Sequence, residues 1–186
     1  MGNKVAINPA TFTHQEHVAI AYGMGMTGEK VAEQWHTPRE AQDEFALTSH
    51  RRALQAIDSG EFKQEISPYQ VVEKRPDLEA DKVLEQVSLK DTDEGPRADT
   101  SLEVLAKLRP VFSAKGSVTA GNSSQMSDGA GAVVLMNEKA MQRFNLSPLA
   151  RFIGFSVAGV PPEIMGVGPI KAIPKVLAQT NIKQDD

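Results

Sequence analysis

The chain has 186 residues, no cysteine and a net charge of −4. That length suits one domain or two small ones; the charge gives no general attraction to nucleic acid, and the missing thiols exclude disulfides, thiolate metal sites and a cysteine nucleophile within these residues. No apolar run reaches the ~18 residues of a membrane span, and "MGNKVAINPATFTHQEH" has neither the apolar core of a signal peptide nor the second signal that a myristoyl anchor at "MGNKVA" would need, so a cytoplasmic protein is expected.

Residues 1–15 show no periodicity and read as irregular. In "YGMGMTGEKVAEQW" the spacing puts Met24, Val31, Ala32 and Trp35 near one helical face, with glycines loosening the first half. "TPRE" predicts a capping box with Thr37 as N-cap and Pro38 at the first helical position. The helix that follows should run to about Asp58, with Ala41, Phe45, Ala46, Ala53, Ala56 and Ile57 as its apolar stripe and Gly60 beyond its end. "FKQEISPYQVV" reads as a strand that Pro68 confines to an edge or bulge. Residues 71–99 are nearly half charged and read as an exposed hairpin or loop. "TSLE", Thr100 to Glu103, predicts a second capping box and a short helix with Leu102 and Leu105 inward, ending at Arg109 before Pro110.

The stretch "GSVTAGNSSQMSDGAGAVVLM", Gly116 to Met136, comes next. Small residues let a backbone approach another segment or a ligand closely, and Ser and Asn add directional hydrogen bonds without bulk. "AVVLM", with no alternation, predicts a strand buried on both faces. Either a narrow ligand channel or a tight packing corner fits this pattern. Asn137 is the expected N-cap of a helix over "EKAMQRF", stopped at Asn145. "SPLARFIGFSVAGV" reads as a strand, and "GPIKAIPKVLAQT" as a helix starting near Pro169 with Pro174 close to its first turn. His14, His17, His36 and His50 lack metal-ligand spacing and read as surface or satisfied histidines, so no metal is expected.

The Gly116–Met136 stretch resembles the thiolase pattern "VTAGN-S---DGAAAV". "MGMTGEKVAEQWHTPREAQDEFALTSHRRALQAIDSGEFKQEISP" is similar to the family's "MG-TAE-VA---RE-QD-FA--SH--A--A---G-F--EI-P". "RADTSLEVLAKLRPVF" and "PLARFIGFSVAGVPPEIMGVGPIKAIPKVL" follow in the same order, so the likeness runs from about Tyr22 to Leu177. It implies an α/β fold: a partial thiolase-like fold with a helical loop domain (1–116) and an incomplete layered αβα core, made of the end of one half (117–147) and the start of the next (148–186).

The resemblance further implies acyl transfer between acyl-CoA and CoA in fatty acid metabolism, with homo-oligomers in the full-length family. Ser124 matches the serine at the pantetheine arm of coenzyme A, and Arg97 the arginine near the adenine end. Phe112, Met165 and Met24 match apolar residues around the thioester pocket. Gly23 stands where short-chain biosynthetic members often carry histidine, which leans toward degradative 3-ketoacyl-CoA thiolases. The family's nucleophilic cysteine would lie before Met1, and its "NEAFA" asparagine, "GHP" histidine and second cysteine after Asp186. The chain alone is therefore expected to bind substrate without catalysing acyl transfer. A stand-alone CoA-binding or interaction module, and a truncated product without activity, remain the alternatives.

Overall fold

A computed structural model describes residues 7–14 and 16–185. The irregularity expected of residues 1–15 therefore lies partly outside the described residues; within them, Ala10–Thr13 forms one helical turn, α1. The chain divides into two compact units. One holds the described residues up to Thr37, Phe112–Val118 and the residues from Met126 onward; the other holds Pro38–Val111 and Thr119–Gln125.

In the first unit, α2 (Met24–Gln34) packs on the 3-10 turn Pro162–Val167. Its inward side differs from the expected stripe. Thr27 and Glu29 are buried, while Met24 and Trp35 are exposed. The cause is the segment laid against the helix. The Phe112 ring lies where a side chain on Gly25 would sit, and Val118 reaches to 3.6 Å from the corresponding point at Gly28. Backbone contact on that side takes the place of large apolar side chains.

α5 (Glu138–Phe144) begins as expected, with Asn137 Oδ1 accepting the Ala140 N–H at 2.9 Å. It stops at Asn145, whose φ of 52° ends the helix in the left-handed region. α6 (Gly168–Thr180) carries Pro169 in its first turn and Pro174 in its interior. The strands expected at 131–136 and 149–157 do not form: the sole sheet among the described residues lies elsewhere. Val133, Val134 and Leu135 are 84, 82 and 83% exposed. A strand exists through ladder bonds to a neighbour, and neither segment has one within the described residues. Part of the second segment is instead held against α6, where Ser156 Oγ donates to the Ala172 carbonyl at 2.8 Å and Lys175 Nζ to that of Val157 at 3.2 Å.

In the second unit, α3 (Arg39–Ser59) starts one residue later than the predicted box. Pro38 is its N-cap, with extended ψ and no side-chain cap bond. Gly60, at φ 78°, ends it. Asp43 and Leu47 are its buried residues, and Phe45 is exposed. At 100° per residue, Phe45 lies about 200° from both neighbours, so the expected stripe was centred on the wrong side of this turn. Of the strand predicted over "FKQEISPYQVV", the start is instead a 3-10 turn, Glu61–Gln64, and only the part from Tyr69 onward is strand.

The charged excursion is an antiparallel hairpin of β1 (Tyr69–Asp77) and β2 (Lys82–Lys90), with Val72 opposite Val87. α4 (Leu102–Ala106) is capped by Ser101, whose hydroxyl accepts the Val104 N–H, one residue past the expected Thr100. Leu105 is buried, but Leu102 is exposed, and the helix stops at Ala106 before reaching Arg109.

Candidate functional site

The turn from Thr119 to Ser124, in the second unit, is built on a buried polar network. Asp43 is 4% exposed on the inward side of α3. One of its carboxylate oxygens accepts from Arg39 Nε at 2.8 Å and the other from Asn122 Nδ2 at 3.0 Å. The Asn122 side-chain oxygen in turn accepts the Thr119 N–H at 2.8 Å. Thr119 is fully buried; its hydroxyl takes the Gly121 N–H at 3.2 Å and its carbonyl the Ser123 hydroxyl.

Arg39 also donates through Nη2 to the carbonyls of Leu105 and Leu108, at and just beyond the end of the short α4. Gly121 is required for the close fit: a Cβ there would come within 2.5 Å of both the Leu105 and the Leu108 side chains. The inner side of the turn is thus consumed by protein partners. Ser124, next along the chain, is exposed, and its hydroxyl reaches the Gln125 carbonyl at 3.2 Å.

Arg97 belongs to the same unit. Its backbone N–H donates to His50 Nδ1 at 3.1 Å, and its guanidinium holds Asp99 through Nη2 at 2.8 Å and Nε at 3.1 Å. The hydrogen bond from Arg97, and then its charge, hold the Asp99 carboxyl below the ordinary carboxylate range. The same pair raises the Arg97 guanidinium above its usual value. Both side chains are exposed, so a phosphate could replace Asp99 at the guanidinium without burying charge.

The other three predicted residues lie in the first unit. Phe112 covers Gly25 and is partly exposed, Met165 sits in the Pro162–Val167 turn, and Met24 opens α2 with its side chain largely exposed. The same unit contains a feature that sequence reading did not single out. Glu29, buried on α2, accepts the N–H of Ser117 at 2.8 Å and that of Val118 at 2.9 Å. Arg39, Asp43, Thr119 and Asn122 were likewise not singled out. Their signal was present in one form: Asp43 stands four residues after Arg39 and four before Leu47, a charged residue in the middle of a buried stripe. Among the described residues no group of three or more His, Asp or Glu could hold a metal ion, and no helix is long and apolar enough to cross a membrane.

Comparison with known proteins gives a consistent result. The thiolase N-terminal domain family matches residues 7–139. The chain is 45% identical to the 3-ketoacyl-CoA thiolase of Bacillus subtilis (strain 168) over 163 residues, which are 88% of this chain and 41% of that protein. It is 42% identical to 3-ketoacyl-CoA thiolase 1, peroxisomal, of Arabidopsis thaliana over 185 residues, 100% of this chain and 41% of that protein. Among solved structures, the dimeric peroxisomal thiolase of Saccharomyces cerevisiae superposes with a TM-score of 0.80 at 40% identity, covering 97% of this chain and 43% of that one. The Bacillus anthracis acetyl-CoA acetyltransferase gives 0.75 at 45% identity, covering 87% and 39%. The chain thus spans about two-fifths of the length of the relatives it matches.

Proposed function

The chain belongs to the thiolase family, with a partial thiolase-like α/β fold, and we propose that it carries the coenzyme A-binding share of a thiolase-type acyltransferase acting on 3-ketoacyl-CoA or acetyl-CoA in fatty acid metabolism. The observation that carries this is the Thr119–Ser124 turn. Its inner donors and acceptors are engaged by Asp43, Asn122 and Thr119, while Ser124 is left exposed beside a backbone carbonyl. Pantetheine is a slim chain of amides. The Ser124 O–H is donated to that carbonyl, which leaves the hydroxyl oxygen and the carbonyl oxygen to accept from the pantetheine amide N–H groups with little steric bulk. Arg97 supplies a cation on the same unit for the phosphate or purine end. Phe112, Met165 and Met24 are proposed as apolar neighbours of the acyl-thioester end.

In the family's reaction a cysteine thiolate takes the acyl group and a second cysteine moves the proton at the α-carbon. These 186 residues contain no cysteine, so their share is binding and orientation, and any covalent step uses groups outside them. The division into a loop domain (1–116), the end of one core half (117–147) and the start of the next (148–186) is part of the same proposal. So are a homo-oligomeric state, a cytoplasmic location and the lean toward degradative members, which Gly23 supports. A fluorescent fusion that collects in an organelle would overturn the assignment to the cytoplasm.

The test is a calorimetric titration of coenzyme A into the 186-residue chain at two ionic strengths. The unaltered chain is expected to bind, and Arg97→Ala to weaken binding more at low salt than at high salt. The pure chain is expected to cleave no 3-ketoacyl-CoA. Arg97→Ala with unchanged affinity at every ionic strength would remove Arg97 from the site, and turnover by the pure chain would refute the division between binding and chemistry.

A further inference from the structure

We propose that Asp43 is a positioning residue for coenzyme A: acting through the Asn122 amide, its carboxylate fixes the Thr119–Ser124 turn in the arrangement that presents the Ser124 hydroxyl. This rests on the assignment of Ser124 as a pantetheine contact. It adds a group that touches no part of the cofactor.

The direction of each hydrogen bond makes the case. A buried ionised carboxylate accepts and cannot donate. Asp43 takes one bond from Arg39 Nε at 2.8 Å and one from Asn122 Nδ2 at 3.0 Å. The amide of Asn122 therefore has its NH2 toward Asp43 and its oxygen toward the Thr119 N–H, 2.8 Å away. Turned over, the amide would set its oxygen against the carboxylate and its NH2 against the Thr119 N–H, two repulsive contacts in a buried place. The charge at position 43 thus selects one amide orientation, and that orientation holds the Thr119 N–H.

The rest of the turn follows from Thr119, whose hydroxyl accepts from Gly121 and whose carbonyl accepts from Ser123. Only Ala120 and Gly121 lie between Thr119 and Asn122, so the loop is closed tightly enough to fix the exit direction of the chain into Ser124. Helix packing gives no reason for a carboxylate here. Leu47, one turn later on the same side of α3, is apolar and buried, and an apolar residue at position 43 would avoid the desolvation of a charge. Arg39 completes the arrangement by tying the same carboxylate to the Leu105 and Leu108 carbonyls. The carboxylate is then the junction of α3, the end of α4 and the turn.

The experiment is a double-mutant cycle read by calorimetric titration of coenzyme A into the 186-residue chain, with circular dichroism to show that each variant is folded. Ser124→Ala is expected to weaken binding by about two- to tenfold, the loss of one neutral hydrogen bond. Asp43→Asn is expected to weaken it by a similar factor, but to have no further effect when Ser124 is already alanine. A purely structural role would lower affinity equally in both backgrounds.

The exchange Asp43→Asn with Asn122→Asp can keep the Arg39, 43–122 and Thr119 bonds while moving the charge. The amide at position 43 donates to the carboxylate at 122, which still accepts from Thr119, and its oxygen still accepts from Arg39. This pair is expected to bind within about twofold of the unaltered chain, while Asn122→Asp alone, with two carboxylates in contact, does not. Equal effects of Asp43→Asn with and without Ser124, or an exchange no better than its single variants, would overturn the inference and leave Ser124 as a contact. No effect of Ser124→Ala, or no binding by the unaltered chain, would overturn the coenzyme A assignment and this inference with it.

Discussion

Replacing Glu29 by alanine should open one defined point of the first unit. Its carboxylate lies buried on α2 and accepts two backbone N–H groups, those of Ser117 at 2.8 Å and Val118 at 2.9 Å, with the Ser117 hydroxyl 3.3 Å away. Alanine leaves both N–H groups without their acceptor. An unsatisfied buried donor costs about 1–3 kcal/mol, so two give about 2–6 kcal/mol, with the lower end reached if water enters the vacated space. Glutamine keeps one acceptor oxygen and turns an NH2 toward the other N–H, which leaves a cost of about 1–3 kcal/mol.

Hydrogen exchange followed by NMR reads this directly, because local opening free energy appears as protection of individual amides. Protection at Ser117 and Val118 should fall at least tenfold in Glu29→Ala, corresponding to about 1.4 kcal/mol or more, and less in Glu29→Gln. Gly116→Ala gives an independent check, since a Cβ there would overlap the Glu29 carboxylate; it should lower the same two protections by displacing the acid rather than replacing it. Amides at 117 and 118 that exchange equally fast in all three variants and in the unaltered chain would refute the reasoning.

Three further outcomes are expected. Gly121→Ala pushes a Cβ to 2.5 Å from the Leu105 and Leu108 side chains, and Leu105 is buried; the overpacking should cost about 1–3 kcal/mol, read as a lower urea midpoint with an unchanged slope. The Asp99 carboxyl titrates below the ordinary carboxylate range because Arg97 bonds to it and sits beside it. Its contribution to stability is therefore present above that range and lost as pH falls through the lowered value; in an NMR titration Arg97→Ala should bring the Asp99 midpoint up toward an ordinary carboxylate, and an unmoved midpoint would refute the pairing. Finally, amides of 131–136 should exchange close to the unprotected rate while those of 43–59 in α3 are protected, because the former have no ladder partner among the described residues; strong protection over 131–136 would show that a partner strand forms in solution.

Local chemistry was enough to locate several elements from the sequence. Asn137 and Asn145 bound α5 as written, because capping depends on a side chain and the backbone two or three residues away. Gly60 ends α3 for the same reason, as a residue that tolerates positive φ. The charged run became a hairpin because it needs no core to stay in water. The linked motifs from Tyr22 to Leu177 also sufficed to indicate the family, which the match over residues 7–139 established.

Tertiary contacts decided the rest. Which side of α3 turns inward depends on what meets it, and a buried Asp43 held by Arg39 and Asn122 moved the stripe away from Phe45. Whether "AVVLM" is a strand depends on a neighbour, and periodicity carries no information about whether one is present. Ser124 could be proposed as a contact from the motif. Its presentation could not, since that rests on bonds between residues 79 positions apart, Asn122 and Asp43. A buried hydrogen-bond chain has direction as well as distance, and only the folded arrangement of donors and acceptors supplies it.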